Sequence, residues 1–448
     1  MASPSPPPDT SSPEELRREL TLLDSTMINI GSMIGSGIFI VPAMIASQLQ
    51  STSLIIGVWV VGGIVSMFGA LAMAELGALM PKAGGQFVYL REAYGPLWGF
   101  LYGWGGFIVI ISASISAIAV GFATYLGYFI PLTPAEIKVV AIASILLLTA
   151  MNCFGVKLGA LIQNGFTFLK IAAFALLVGL SFVLSGGSAS NFSPVLPEMH
   201  WSGLVGPLGL AMVAVLWSYD GWIEITYVAG EVRDPQKNIH RSLILSTAAV
   251  IVIYTAVNLA YIYVLSVGKI SQSQFVASDA ATVLLGPVGA SAIACAVMIA
   301  TFGANNGFVF TGARIYYAMA KEGLFFKSFG RIHPVYGTPI ASLAGQGVWS
   351  SLLVLTGTYD QLTTYVVFVS WFFYAMSCTA VFILRKRKPE LARPYKTWGY
   401  PWTPGLFVLF ATFLVANTIL ENPDDSLIGT AMIVLGIPAY FYWSKKSR

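Results

Sequence analysis

Windows of about 20 apolar residues recur along this chain, and this recurrence limits the possible folds more than any other feature. The windows fall at residues 24–48, 54–80, 94–129, 135–153, 157–184, 203–230, 242–267, 280–320, 338–357, 360–384, 404–420 and 426–444. Only 10% of the residues are charged and 56% are hydrophobic, whereas a soluble domain carries about a quarter charged residues. The sequence therefore predicts an all-α polytopic membrane protein with twelve transmembrane helices.

The basic residues indicate how the chain is oriented in the membrane. Of the 24 Lys and Arg residues, all except Lys138, Lys170 and Lys269 lie on alternate connections beginning with the N-terminus. Such residues accumulate on the cytoplasmic side. We therefore expect a multi-pass protein of the plasma (inner) membrane with both termini in the cytoplasm. Residues 1–13 are rich in Pro and Ser, and we predict a disordered cytoplasmic tail over residues 1–23.

The first window contains small residues that weaken a helix at its middle. Three glycines and two serines crowd the run Ile28–Ile40, and each glycine costs about 1 kcal/mol relative to alanine. One interpretation is a broken helix that lines a cavity, because backbone groups must not face hydrocarbon unpaired. The alternative is close helix packing through small residues. If the helix is broken, the amides of Ser36, Gly37 and Ile38 favour an anion, and carbonyls near Met33 favour a cation.

A second interruption, in the sixth window, favours the broken helix. An aspartate adjoins a glycine in the run Leu216–Trp222, and such an acid within a membrane span is rarely idle. The two interruptions lie in spans one and six, an odd number of spans apart along the chain, so the two helices run in opposite directions. This relation is typical of inverted repeats that place a substrate site between two broken helices. We assign the repeats to residues 24–184 and 203–384, with helices 11 and 12 at 404–444.

Several functional classes lack support in the sequence. The three cysteines and three histidines show no spacing suited to a disulfide framework or a metal site. No nucleophile, His cluster or paired carboxylates converge within the spans, as a membrane-embedded enzyme requires. Repeated filter segments or rings of charge, typical of channels, are also missing from the sequence. We therefore expect a transporter without a cofactor, a metal ion or a nucleic-acid partner.

Three motifs resemble those of the L-type amino acid transporters in the amino acid–polyamine–organocation superfamily. The first is Ile34–Phe39, in the first window; the second is Trp217–Trp222 followed by Ala229–Val232. The third is Ala74–Leu76 with Pro81–Gln86, after the second window. The resemblance extends to bacterial serine/threonine and alanine/serine/cysteine exchangers of that family. It implies a LeuT-like 5+5 inverted repeat, with helices 1 and 6 broken, that works by alternating access.

The resemblance also implies a set of substrate contacts. By position, the carboxylate of an amino acid would meet the amides of Ser36 and Gly37, and its amine the carbonyls of Met33, Trp217 and Asp220. The aromatic residue that gates the family's site is usually Phe, and here it is Trp217. The full set of predicted substrate-binding residues is Met33, Ile34, Gly35, Ser36, Gly37, Ile38, Trp217, Ser218 and Asp220.

Lys170 lies well inside the fifth window. It either snorkels to the cytoplasmic surface or finds partners within the protein, and we favour a functional role because a charge at this depth is costly. In the resembling family, a lysine at this place stands where sodium-coupled relatives bind the ion. The resemblance therefore implies transport that is independent of sodium, with Lys170 bracing span one against span eight.

Other polar residues are candidates for lining or gating the site. Asn305 and Asn306 lie in the middle of span eight, where interhelical hydrogen bonding and a place in the site are equally plausible. Tyr254 in span seven either hydrogen-bonds to span one, as its family position indicates, or packs as an aromatic ring. Glu224 follows the second interruption and is expected to pair with a base on the cytoplasmic side.

These features predict the substrate and the mode of transport. Span three has no Lys or Arg between Tyr102 and Tyr128 to match an anionic side chain, and few acids face a cationic one. We therefore expect small neutral L-amino acids and sodium-independent obligatory exchange. A proton-coupled symporter using Lys170, or a polyamine or cationic amino acid carrier, remains as an alternative. The segment Gly127–Pro134 lacks the cysteine of relatives that bind a glycoprotein, so no disulfide-linked ancillary subunit is expected.

Overall fold

The structure is a computed structural model that describes residues 16–184, 186–196, 203–356 and 359–446, except for the side chains at 359 and 360. The described residues are organised as α-helices joined by short connections. In chain order they are α1 (Leu22–Met33), α2 (Gly37–Leu49), α3 (Thr52–Leu79), α4 (Gln86–Tyr94), α5 (Pro96–Gly105), α6 (Ile111–Leu126), α7 (Pro134–Cys153), α8 (Val156–Val183), α9 (Val205–Tyr219), α10 (Glu224–Tyr227), α11 (Pro235–Val264), α12 (Val267–Ser271), α13 (Val276–Lys321), α14 (Ile340–Thr356), α15 (Tyr359–Arg387), α16 (Trp402–Glu421), α17 (Pro423–Val434) and α18 (Gly436–Lys446).

The long apolar helices agree with the predicted windows. Within the described ranges, 10 helical stretches are long and apolar enough to cross a membrane. Two shorter apolar helices, α9 and α14, fall on the predicted windows 203–230 and 338–357. The all-helical class and the polytopic membrane character are therefore confirmed.

The first window is broken at its glycine-rich middle. Helix α1 ends at Met33 and α2 begins at Gly37, with Ile34 outside the helical region at φ −78° and ψ 80°. The second interruption follows α9, where Asp220 is extended and Gly221 has a φ of 100°. A residue with a side chain rarely adopts that φ, so Gly221 allows the chain to turn there. Both predicted interruptions are present in the structure.

Two other windows contain irregularities that the apolar pattern did not reveal. In the window 94–129, a π-helical segment at Gly106–Ile110 separates α5 from α6. The window 280–320 lies within α13, which has a non-helical residue at Gly286 immediately before Pro287. The proline ring removes a backbone donor and bends the helix there.

The last residues of the predicted disordered tail have regular structure. Leu20 pairs with Val232 in an isolated parallel bridge, and a Thr21–Asp24 capping box starts α1 at Leu22. Residues 1–15 of the predicted tail lie outside the described residues. The capping signal and the bridge therefore fix the last residues of the segment that we predicted to be disordered.

Packing around the two breaks sets the position of the site. Helix α1 packs against α8, α11 and α13, while α2 packs against α9. The two described ends of the chain lie at the same end of the bundle. Near the first described residue, Leu16 lines a cavity together with Lys321, the last residue of α13. Near the last described residue, Trp443 of α18 stacks on Phe325, which follows α13 in the chain.

Candidate functional site

The two helix breaks face each other in the middle of the bundle. A Cβ atom added to Gly221 would lie 2.9 Å from the carbonyl carbon of Ser32. A Cβ atom added to Gly37 would lie 2.7 Å from the Cα atom of Ser218. Glycine at these two positions therefore allows the backbones of the two breaks to come into contact.

A small cavity lies between the breaks. Its free volume of ≈ 10 Å³ is about that of one water molecule. The residues that line it are Ser32, Met33, Gly35, Ser36, Gly37, Ile118, Trp217, Ser218, Asp220 and Phe308. Of the predicted substrate-binding residues, only Ile34 and Ile38 are not among those lining residues.

The start of α2 provides the positive side of this cavity. Gly37 is the first residue of α2, and the first amides of a helix have no intrahelical acceptor. The amides of Phe39 and Ile40 both lie 3.1 Å from the Ser36 carbonyl, which starts the hydrogen bonding of this helix. With the helix dipole, this arrangement suits a carboxylate.

The carbonyls on the opposite side already have partners. The Tyr254 hydroxyl lies 2.6 Å from the Met33 carbonyl and 3.0 Å from the Ser218 carbonyl, so it bridges the two breaks. The amide of Asp220 donates to the Trp217 carbonyl at 3.1 Å. Tyr254 does not line the cavity. Its hydrogen bond to Met33 is the contact with span one that its family position indicated, and a gating role for Tyr254 stays a prediction.

Asp220 places an acid at the edge of the cavity. Its side chain is buried, and Oδ1 accepts a 2.7 Å hydrogen bond from the Tyr374 hydroxyl. Within the described ranges, no Lys, Arg or His forms an ion pair with it. An ammonium group of a ligand would be favoured next to this carboxylate.

Lys170 reaches the end of α1 from the neighbouring α8. Its side chain is 1% exposed, and Nζ donates to the carbonyls of Gly31 at 2.6 Å and Ile34 at 2.8 Å. A Cβ atom at Gly303 of α13 would lie 3.2 Å from Cε of Lys170. The lysine is thus buried between α1 and α13, where a cation compensates the carbonyls that end a helix. It does not snorkel to the surface.

The two asparagines of α13 have different surroundings, and neither lines the cavity. Asn306 joins three helices: it accepts from Asn152 Nδ2 at 2.8 Å and donates to Gln163 Oε1 at 2.9 Å. Asn305 is buried, and its side-chain atoms have no hydrogen-bond partner among the described residues. Asn306 therefore has the interhelical role that we considered, whereas Asn305 does not contact the cavity in this structure.

The sequence reasoning missed two apolar residues of the cavity wall, Ile118 of α6 and Phe308 of α13. Only the structure explains the position of Phe308. It lies four residues after Ala304 and therefore on the same helix face, and Ala304 contacts the first break, 3.3 Å from a Cβ added to Gly35. No sequence signal distinguished Ile118 from the other apolar residues of α6.

A buried ion pair lies beyond the second break. Glu231 and Arg314 are both fully buried, with Arg314 Nε 3.1 Å from Glu231 Oε1. Glu224 accepts a hydrogen bond from the Thr311 hydroxyl instead. The expectation that Glu224 pairs with a base is therefore wrong, because Arg314 lies nearer to the Lys321 end of α13 and reaches Glu231.

Comparisons with known proteins identify the family. The sequence model described as amino acid permease matches residues 20–443. The b(0,+)-type amino acid transporter 1 of Homo sapiens is 32% identical over 432 residues, which are 95% of this chain and 88% of the relative. The chain belongs to the amino acid permease family.

Other members of this family cover the chain equally well. The serine/threonine exchanger SteT of Bacillus subtilis (strain 168) is 30% identical over 437 residues, which are 96% of this chain and 98% of the relative. The large neutral amino acids transporter small subunit 2 of Mus musculus is 33% identical over 446 residues, which are 97% of this chain and 83% of the relative. These relatives are transporters and not enzymes. They support amino acid transport as the general activity of this permease.

Proposed function

We propose that this permease exchanges small neutral L-amino acids across the plasma membrane without sodium. The proposal assigns the chain twelve spans and a LeuT-like 5+5 inverted repeat over residues 24–184 and 203–384, with helices 11 and 12 at 404–444. The two antiparallel broken helices and the cavity between them support this architecture.

The substrate's charged groups would bind to the two breaks. The carboxylate would bind the amides at the start of α2, around Ser36 and Gly37, where the helix dipole favours negative charge. The amine would lie near the carbonyls of Met33, Trp217 and Asp220 and the Asp220 carboxylate. Trp217 would cover the site and act as its gate.

The neutral substrate class follows from the apolar residues that line the cavity. Ile118 and Phe308 line the cavity, and neither residue can pair with a charged side chain. A polyamine or cationic substrate would have only Asp220 and Glu224 nearby, which makes this alternative less well supported.

Sodium independence rests on one observation above all, the contact of Lys170 with the carbonyls of Gly31 and Ile34. The broken end of α1 needs a positive charge to hold these carbonyls. A tethered ammonium provides it at every step of the cycle, whereas a bound ion would arrive and leave. Lys170 as the site of a coupled proton is the alternative, and it would make the permease a symporter.

The orientation and the partners complete the proposal. Both termini would be cytoplasmic, which agrees with the distribution of Lys and Arg over the connections. No disulfide-linked ancillary subunit would be present, because the segment after span three has no cysteine.

Reconstitution tests the proposal directly. The purified protein in liposomes is assayed for uptake of labelled serine or alanine, with the vesicles either empty or loaded with the same amino acid. An exchanger takes up label only into loaded vesicles. Uptake into empty vesicles that follows an imposed pH gradient would support the proton symporter instead.

A further inference from the structure

A second cavity lies at the end of the bundle that holds both described chain ends. Its volume is ≈ 340 Å³, within the range of about 300–1,000 Å³ typical of small-molecule sites. Residues from four separate segments of the chain line it, and the cations among them are Arg18, Lys82, Arg91 and Lys321. This cavity is separate from the one between the helix breaks, because no residue lines both.

Among the residues that the structure describes, most of the positive charge in this cavity has no ion-pair partner. Arg91 forms ion pairs with Glu322, the acid that also lines the cavity, and with Glu92 at 3.5 Å. Arg18, Lys82 and Lys321 are exposed, and they form no ion pair with any other residue in the described ranges. Three like charges around one space repel each other, and an anion between them removes that cost.

We propose that this cavity binds a phosphate group, either the headgroup of an anionic lipid or a soluble phosphate compound. A phosphate monoester carries a charge of about −1.5 to −2 and offers several acceptor oxygens. Lysine binds such a group as a point charge, and arginine binds it through two parallel donors. A single carboxylate would leave more of the charge of Arg18, Lys82 and Lys321 uncompensated.

The surrounding contacts indicate what a bound phosphate would do. The backbone of the Arg18 segment is held to the segment after α10, where the Glu19 and Leu20 amides donate to the Glu231 carbonyl at 2.9 Å. The loop that contains Lys82 contacts the same part of the chain, since the Gly84 amide donates to the carbonyl of Tyr227, the last residue of α10, at 2.9 Å. Lys321 belongs instead to the end of α13. A phosphate held by all three cations fastens α13 to segments attached to the two broken helices.

The buried Glu231–Arg314 pair joins the same two parts of the molecule. The phosphate therefore adds a second connection that closes this end of the bundle. Its release would be needed before these segments separate in the transport cycle. This consequence rests on the proposed alternating access, whereas phosphate binding itself does not.

Binding is measured on the purified full-length protein without amino acid, so a failure of the proposed transport would not affect the outcome. In detergent, inorganic phosphate is titrated while the thermal unfolding of the protein is followed. In nanodiscs, retained lipid is measured by native mass spectrometry for phosphatidylcholine alone and for its mixture with phosphatidic acid, whose headgroup is a phosphate monoester. Binding in the first experiment indicates a soluble ligand, and binding in the second alone indicates a lipid headgroup.

The double variant Lys82→Ala/Lys321→Ala should weaken the observed binding by about tenfold or more, since each charged contact contributes substantially. The matched control is Lys327→Ala/Arg331→Ala, which removes two exposed cations beyond the end of α13 that do not line the cavity. The control should change binding by less than about twofold. An equal loss in both variants, or a wild-type protein that binds neither probe, would overturn the proposal.

Discussion

Lys170 on α8 donates a 2.6 Å hydrogen bond to the carbonyl of Gly31 on α1, at the point where the first helix breaks. The same ammonium reaches the Ile34 carbonyl, beyond the last helical residue. One side chain thus pairs two carbonyls that a continuous helix would have used for itself. The geometry of the break, and with it the site, depends on this contact.

Removal of the ammonium should therefore impair the site. In Lys170→Ala, two buried carbonyls lose their partner, at a cost of about 1–3 kcal/mol each. We expect transport to fall by at least about tenfold, while the protein still inserts into the membrane. The matched control is Lys157→Ala, an exposed lysine on the same helix. Equal activity of the two variants in liposome uptake would show that the contact has no role.

The close approach of the two breaks predicts the effect of a single methyl group. In Gly37→Ala, the new Cβ atom would lie 2.7 Å from Ser218 Cα, so the two backbones must move apart. Overpacking of this kind costs about 1–3 kcal/mol, and we expect substrate affinity to fall about 10- to 100-fold. Gly57→Ala on α3 is the control, because its Cβ atom would meet nothing within 4 Å. Wild-type substrate binding by Gly37→Ala would contradict the site.

The hydroxyl of Tyr254 should contribute more to substrate affinity than its ring does. Tyr254→Phe keeps the packing against Trp59 and Tyr219 but removes the hydrogen bonds to Met33 and Ser218. We expect substrate affinity to fall about tenfold, since each buried acceptor loses its donor. Tyr263→Phe, which changes the tyrosine next to the last residue of α11, serves as the control. An unchanged dissociation constant for the Tyr254 variant would assign this residue a packing role only.

The buried pair Glu231–Arg314 should contribute to stability in the folded membrane protein. Glu231→Gln leaves Arg314 buried without its counter-charge, a change that typically costs about 3–5 kcal/mol. The control is Glu92→Gln, because Glu92 and Lys388 form a partly exposed pair at 2.9 Å, and such pairs contribute about 0–1 kcal/mol. The Tm values of the two variants are compared by thermal unfolding in detergent. A Tm of Glu231→Gln equal to that of Glu92→Gln would contradict this account of the pair.

The substrate class is tested by competition. Unlabelled alanine, serine and threonine should displace labelled serine from the wild-type protein in liposomes, because Ile118 and Phe308 line the cavity and neither can pair with a charged side chain. Glutamate and arginine should compete at least about tenfold less well, since a buried charge without a partner is costly. If either of them displaced the label better than alanine, the proposed neutral class would be wrong.

Much of this arrangement was predictable from the sequence, for identifiable reasons. Gly35, Gly37 and Gly221 weaken helices within apolar windows, and local composition alone marks both interruptions. Lys170 was conspicuous because a charge is rare within a span. The partners of these residues depend on distant parts of the chain. The bridge by Tyr254, the wall formed by Ile118 and Phe308, and the choice of Glu231 over Glu224 by Arg314 arise from tertiary packing, which periodicity does not encode.

The replacement of sodium by Lys170 is the central claim, and ion substitution tests it most directly. Uptake of labelled serine into serine-loaded liposomes is measured for the wild-type protein in sodium chloride and in choline chloride at the same ionic strength and pH. Because the tethered ammonium already holds the carbonyls of Gly31 and Ile34, we predict equal rates in the two salts. Uptake that collapses in choline chloride would contradict the account.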